Sequence, residues 1–350
     1  MVRLVAVPFV LLWLTGCASD IGTPRIAAAC RLVEVAQVPL ETRGDMLFAN
    51  ARIDGEPITL LVDTGAERTL LTEATVDHLH LPRDLQHATR TFGIGSSTAT
   101  WDANLPNGIV LGGAEVPLDR VTVGRFAINE IAGNHADGLL GADILRTFDI
   151  DLNVPMHEMT LYLPRHGCAD VSPLWDQAYV SIEGVSVFGN RLLLPFELDG
   201  VPGTALLDTG AQMSSISQHM AERVGLLEAD FASDRTVMAH GAAPDQVPVR
   251  MHRFVTLRVG PAAIRAPVLP VVPMSSSMAD ALVGGDFLRG RRVWLSFSTQ
   301  QLFLGPPQRG PWIAVTRTDD TPTTSPVPDN FLQENSGTIA SDVAEDPHRR

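Results

Sequence analysis

Two aspartates in matched settings are the residues of this sequence best suited to chemistry. Leu60-Leu61-Val62-Asp63-Thr64-Gly65-Ala66 is echoed by Leu206-Leu207-Asp208-Thr209-Gly210-Ala211. Each copy closes an apolar run, follows a turn signal (Asp54-Gly55, Asp199-Gly200) and precedes a helix-like stretch. Like charges in close contact cannot both ionise, so two carboxyls brought together share one proton. The ionised member takes a proton from water while the protonated member donates to a carbonyl oxygen. Such hydrolysis needs neither a metal nor a cofactor. Gly65 and Gly210 suit the close backbone approach that the meeting requires, and Thr64 and Thr209 can hydrogen-bond across it.

The elements that must position these loops are also written twice. Met46–Ile53 reads as a strand, Asp54-Gly55 as a hairpin turn and Ile58–Val62 as the strand feeding Asp63. Arg191–Leu198, Asp199-Gly200 and Thr204–Leu207 repeat that layout ahead of Asp208. Thr72 caps a short helix over Glu73–Leu79, and Ser217 caps one that runs through Val224 and is closed by Gly225. Asp208 follows Asp63 by 145 positions, as Thr236 follows Thr91. Thr91–Ser97, which contains Gly93, Ile94 and Gly95, matches Thr236–Ala242, which contains Ala239, His240 and Gly241, with one inserted residue. Both read as the small-residue tips of hairpins. Asp137-Gly138-Leu139-Leu140-Gly141-Ala142-Asp143 matches Asp280-Ala281-Leu282-Val283-Gly284-Gly285-Asp286, and closing strands follow at Met159–Leu163 and Gln301–Leu304. An internal duplication is the simplest explanation. It predicts two lobes at 46–163 and 191–304, joined by a connection at 164–190. An arm at 17–45 carries one strand, Leu32–Leu40, and a mostly disordered tail fills 305–350.

The 350 residues suit two domains, and 40 acidic against 26 basic residues give a net charge of −14. That balance speaks against binding a phosphate backbone, so no nucleic-acid partner is expected. Metal hydrolysis is poorly supported: Asp77-His78-Leu79-His80 and His157-Glu158 lack His-Glu-x-x-His geometry. Gly95-Ser96-Ser97 does not supply a nucleophile elbow, and Gly93-Ile94-Gly95 lacks the third glycine of a dinucleotide loop. At the N-terminus, Arg3 precedes an apolar run, Leu4–Leu14, too short to span a bilayer. With small residues at its end, this describes a secretory signal over residues 1–16. Leu14-Thr15-Gly16-Cys17 resembles the lipobox of bacterial lipoproteins, which implies cleavage before Cys17 and lipid attachment to it. Ala18 after that cysteine fits an outer-membrane destination facing the periplasm. Export would leave Cys30 and Cys168 as the remaining pair in an oxidising space, either as a disulfide or as two buried thiols.

Asp-Thr-Gly-Ala after an apolar strand, with a later apolar-apolar-Gly segment, resembles the retropepsin-like aspartic proteases. Retroviral members use one such lobe twice as a homodimer, whereas this sequence resembles two lobes fused in tandem over roughly Met46–Leu304. The resemblance implies an all-β fold, each lobe with a short helix, forming a pseudo-twofold pair. It implies that Asp63 and Asp208 are catalytic and that Leu139-Leu140-Gly141 and Leu282-Val283-Gly284 brace their loops. The hairpins at Gly93–Gly95 and Ala239–Ala242 would be flaps over an extended peptide. Ala66 and Ala211 replace the Ser or Thr common after the glycine in pepsin-like enzymes, so the pair is expected to work in less acidic conditions. No flap tyrosine is available, because Tyr162 and Tyr179 lie outside both hairpins. Trp101 at the base of the first hairpin reads as a buried aromatic or a subsite wall. A different class with the same fold is a module that binds extended peptides without cutting them. The connection is long enough for both lobes to face each other within one chain, so a monomer is expected.

Overall fold

The computed structural model describes residues 32–307, except 93–96, 126–134, 165–171, 184, 242–245 and 275–278, together with 313–314. Cys17, Cys30, Cys168, Gly93, Ile94 and Gly95 lie outside the described residues, as does the signal segment. No helix among the described residues is long and apolar enough to cross a membrane.

Strands dominate, and alternation sets their faces. Met46–Ile53 and Arg191–Leu198 both alternate buried with more exposed positions towards their C-terminal ends. Asp54 and Gly55 turn the first hairpin with φ of 51° and 87°; Asp199 and Gly200 turn the second with 49° and 83°. Positive φ at both central residues is the twist-compatible hairpin turn that Asp-Gly favours. The incoming strands, Glu56–Val62 and Val201–Leu207, therefore start a few residues earlier than the apolar pattern alone predicts. The short helices Glu73–His78 and Gln218–Arg223 are capped as expected. Thr72 Oγ1 accepts from Thr75 N at 3.1 Å, and Ser217 Oγ accepts from Met220 N at 3.0 Å.

The topology of each lobe centres on an inserted strand. Gly138–Leu140 runs parallel to Glu56–Val62 on one side and antiparallel to Leu70–Thr72 on the other. Ala281–Val283 sits in the same way between Val201–Leu207 and Ser215–Ser217. The chain thus leaves the sheet after each incoming strand, makes the Asp-Thr-Gly loop, and returns with a place left open for a distant segment. The inserted strands are buried throughout, and the incoming strands bury the apolar residues at their C-terminal ends, Leu60–Val62 and Ala205–Leu207.

A shared sheet joins the lobes. Asp149–Asn153 pairs antiparallel with Arg292–Ser296, with Asp151 opposite Trp294, so the pseudo-twofold axis passes through this pair of strands. The arm does more than the sequence suggested. Its strand runs to Arg43, with one half on Glu158–Leu163 in the shared sheet and the other on Met46–Ile53 in the first lobe. The Arg292 guanidinium grips Asp151 at 2.9 and 2.6 Å, and Trp175 Nε1 donates to the same carboxylate at 2.8 Å. Within the stretch read as tail, Ile313–Ala314 adds a short strand to the edge strand Ala262–Arg265.

Candidate active site

Asp63 and Asp208 each stand one residue beyond a buried strand, and the inserted strand fixes both. Asp63 N donates to Leu140 O and Asp208 N to Val283 O, each at 3.0 Å. The loops then fold back on their own carboxylates. Gly65 N and Ala66 N donate to Asp63 Oδ1 at 2.9 and 3.0 Å; Gly210 N and Ala211 N do the same to Asp208 Oδ1 at the same distances.

The threonines lock the two loops together. Thr64 Oγ1 donates to Leu207 O at 2.7 Å and accepts from Thr209 N at 3.1 Å. Thr209 Oγ1 donates to Val62 O at 2.5 Å and accepts from Thr64 N at 3.0 Å. Both threonines are buried, so four interlobe bonds form out of reach of competing water. The glycines allow the approach. A Cβ added to Gly65 would lie 2.4 Å from Asp208 Cγ, and one added to Gly210 would lie 2.4 Å from Asp63 Cγ. No side chain fits there.

A second duplicated network, not legible as functional in the sequence, stands behind the loops. Asp143 Oδ1 accepts from Thr69 N, Thr69 Oγ1 and Ile144 N at 2.9, 2.7 and 2.9 Å. Asp286 Oδ1 accepts from Ser214 N, Ser214 Oγ and Phe287 N at 2.8, 2.7 and 2.9 Å. Gly141 N and Gly284 N donate to those same hydroxyls at 3.1 and 3.0 Å. Each apolar-apolar-Gly segment is thereby tied to the chain leaving the Asp-Thr-Gly loop. The repeated Asp of Gly141-Ala142-Asp143 and Gly284-Gly285-Asp286 was the available signal, but its partners are more than 70 residues away.

The remaining expected residues fall on edge hairpins. Arg83–Phe92 with Ser97–Asn104 forms the outermost pair of the larger sheet, and Arg235–His240 with Gln246–Arg253 that of the smaller. Ala239 and His240 end the rising strand, Gly241 follows, and the His240 and Gln246 side chains lie 2.9 Å apart across the hairpin. Trp101 is half-buried, with the Arg83 guanidinium 4.5 Å over its ring. The loops are also pinned from the side, since Arg191 Nη2 meets Glu67 Oε1 at 2.7 Å and Asn190 Nδ2 donates to Glu67 O at 3.1 Å.

Burial raises the proton affinity of both carboxyls. Asp63 is pushed well above the usual carboxylate range by desolvation first and by the charge of Asp208 second. Asp208 is also raised by desolvation, although its hydrogen bonds and nearby Arg191 oppose the shift. A raised folded-state pKa stabilises the fold below the unfolded value, about 4, and that contribution is lost as pH rises through the folded value. The pair therefore costs stability at neutral pH. Asp63→Asn is expected to raise Tm at pH 7, with the gain vanishing towards pH 3 in calorimetry. A uniform change across that range would show that the pair carries no such strain.

Among the described residues no group of three or more His, Cys, Asp or Glu is placed to hold a metal ion. What the geometry holds is two carboxyls on matched loops, meeting where two duplicated β lobes join. Fold and loops together define a tandem pair of retropepsin-like lobes. Residues 49–144 and 194–287 match the aspartyl protease family model, more than half of the chain, and the chain belongs to that family. A 124-residue stretch is 30% identical to DNA damage-inducible protein 1 of Yarrowia lipolytica (strain CLIB 122 / E 150). That match covers 34% of this chain and 28% of that protein, so the chain answers to little over a quarter of its relative.

Proposed function

We propose that the protein is an aspartic endopeptidase in which Asp63 and Asp208 activate one water against a peptide carbonyl. The observation that carries this reading is the meeting of the two carboxyls with the four threonine bonds that hold them. One carboxylate takes a proton from water as the water oxygen bonds to the carbonyl carbon, and the other carboxyl gives its proton to the carbonyl oxygen. The resulting gem-diol collapses when the amine leaves with a proton. The pair titrates as a unit. Preorganised loops contribute because nothing needs to reorganise as charge develops. An extended peptide would lie across the pair beneath the two edge hairpins, with no cofactor and within a single chain. Leu14-Thr15-Gly16-Cys17 supports a lipid anchor that would set this activity in the cell envelope.

Digestion of a peptide library by the full chain tests the reading. Internal cleavages should appear and should be blocked by a peptide carrying a tetrahedral hydroxyl in place of the scissile carbonyl, since transition-state mimics bind far more tightly than substrates. Peptides retained on the protein but never cut would overturn it in favour of a binding module.

A further inference from the structure

Under the 145-residue offset that relates the two loops, Met46 answers to Arg191, Glu67 to Gln212 and Arg68 to Met213. Arg68 and Met213 are placed alike. A Cβ on Gly141 would lie 2.4 Å from Arg68 C, and one on Gly284 would lie 2.8 Å from Met213 C. The strand registers extend the match. Val123 pairs with Leu71 and Trp101, and Val271 pairs with Ile216 and Arg250. One row further on, Asp102 opposite Thr122 therefore answers to Met251 opposite Pro270. The chemistry of the two rows differs. Arg68 Nη2 donates to Asp102 Oδ2 at 2.9 Å, and Thr122 Oγ1 donates to Asp102 Oδ1 at 3.3 Å. The second lobe fills the same three places with Met213, Met251 and Pro270, none of them charged.

Alternation fixes the face on which the ion pair lies. Ala103, Val121 and Val123 join the main core, so Asp102 and Thr122 turn to the opposite face and draw Arg68 there. Leu70 is in register with Thr122, so this is the face of the cluster formed by Leu61, Leu70 and Leu139 with Ala66. Ala66 N is one of the two amides that hold Asp63. The guanidinium thus stands in the corner between the Asp63 loop and the base of the first edge hairpin. Within the pair the carboxylate is the hidden member, since Asp102 is 3% exposed and Arg68 40%. Asp84 and Arg120, next along the same face, repeat that order at 10% and 40%. The nearby carboxylate of Glu67 is turned to Arg191. What the first lobe offers a ligand at this corner is positive charge. Arg68 carries its donors in a planar fork and uses one arm on Asp102, so its outer edge can take a second carboxylate. The methionines of the second lobe are apolar and adapt to the shape they meet.

We propose that Arg68 is a specificity-determining residue that takes an acidic side chain of the substrate. Met213 and Met251 receive an apolar side chain on the other side of the scissile bond. Resting on the peptidase reading, this names the substrate class: extended peptides with Asp or Glu to one side of the cut and a large apolar residue to the other. It also gives the cleft a direction. Two identical halves would bind a peptide either way round, whereas a charge on one side favours a single orientation.

Sequencing the products of a peptide-library digest by the full chain is the test. Asp or Glu should be enriched on one side of the cut bond only. A well-cut acidic peptide and its copy with Gln for Glu should differ in kcat/KM by about tenfold to a hundredfold, the range of one hydrogen bond to a charged group. Arg68→Met alone would leave Asp102 buried without its partner. The discriminating variant therefore combines Arg68→Met with Asp102→Met and copies the second lobe. It should cut both peptides at one rate, through loss on the acidic peptide alone, whereas Arg68→Lys should keep the preference. Rates that fall equally for both peptides would mean that Arg68 only ties the hairpin to the loop, which overturns the proposal. A wild-type digest without one-sided acidic enrichment overturns it equally, whether or not the double variant folds. If nothing is cut, the peptidase reading falls alone, and the peptides retained by each protein decide. Acidic sequences enriched on the wild type and not on the double variant would then uphold the role of Arg68, and equal retention would overturn it.

Discussion

Asp63→Asn and Asp208→Asn should each lower kcat for peptide hydrolysis by about 10³-fold or more, a loss in the range of a general acid or base acting directly on the reacting atoms. The double variant should be scarcely worse than either single one, because groups that act as a unit lose their joint effect with the first removal. The change is nearly isosteric. An Asn oxygen at position 63 can still accept from Gly65 N and Ala66 N, so the loop geometry survives. Only the capacity to exchange a proton is removed. Single-turnover assays on a cleaved library peptide separate this from lost binding, and KM should change little. A variant that retains its rate within tenfold would show that its carboxyl does no chemistry.

Gly65→Ala should be almost as damaging, though it alters no titrating group. Its Cβ would sit 2.4 Å from Asp208 Cγ, closer than non-bonded carbons can come. The loop has nowhere to retreat, since Thr64 is bonded to Thr209 and Leu207 across the axis and Ala142 N holds Ala66 O at 2.8 Å. Either the lobes part or the Asp208 carboxyl turns away. A displacement of about 1 Å costs on the order of 10²-fold in rate where proximity matters. Gly55→Ala is the contrast. Its φ of 87° penalises a side chain by about 1 kcal/mol, but nothing lies within 4 Å of the added Cβ. It should lower Tm and leave kcat unchanged. Equal rates in the two variants would mean that the close approach at Gly65 plays no part in turnover.

Local chemistry was legible in the sequence wherever a few neighbouring residues decide the outcome. Asp54-Gly55 and Asp199-Gly200 specify their turns unaided, and Thr72 and Ser217 cap helices whose first turn follows directly. Duplication extended that reach, because a motif written twice is hard to explain as chance. It brought Asp63, Asp208 and the two threonines into view. Pairings that span the chain were not legible. Nothing local requires Gly138–Leu140 to enter between two strands that precede it by more than 60 residues, or Asp149–Asn153 to meet Arg292–Ser296. Asp143 and Asp286 were visible as repeated letters, yet a buried carboxylate is explained only by its donors, and Thr69 and Ser214 belong to a distant turn. Arg191 and Glu67 are separated by 124 positions and look individually like surface charges.

That last pair has a consequence for ancestry. In a homodimer with an isologous interface, whatever residue one subunit offers its neighbour, the neighbour must offer in return. A single-sided arginine could never arise there, because any mutation appears on both sides at once. Joining two copies in one reading frame lifts that restriction, and each copy becomes free to specialise for half of a task. Arg191 facing Glu67 while Met46 and Gln212 stay neutral is a trace of that freedom. The duplicated gene kept its symmetry in the loops that must meet, and gave it up in the positions beside them.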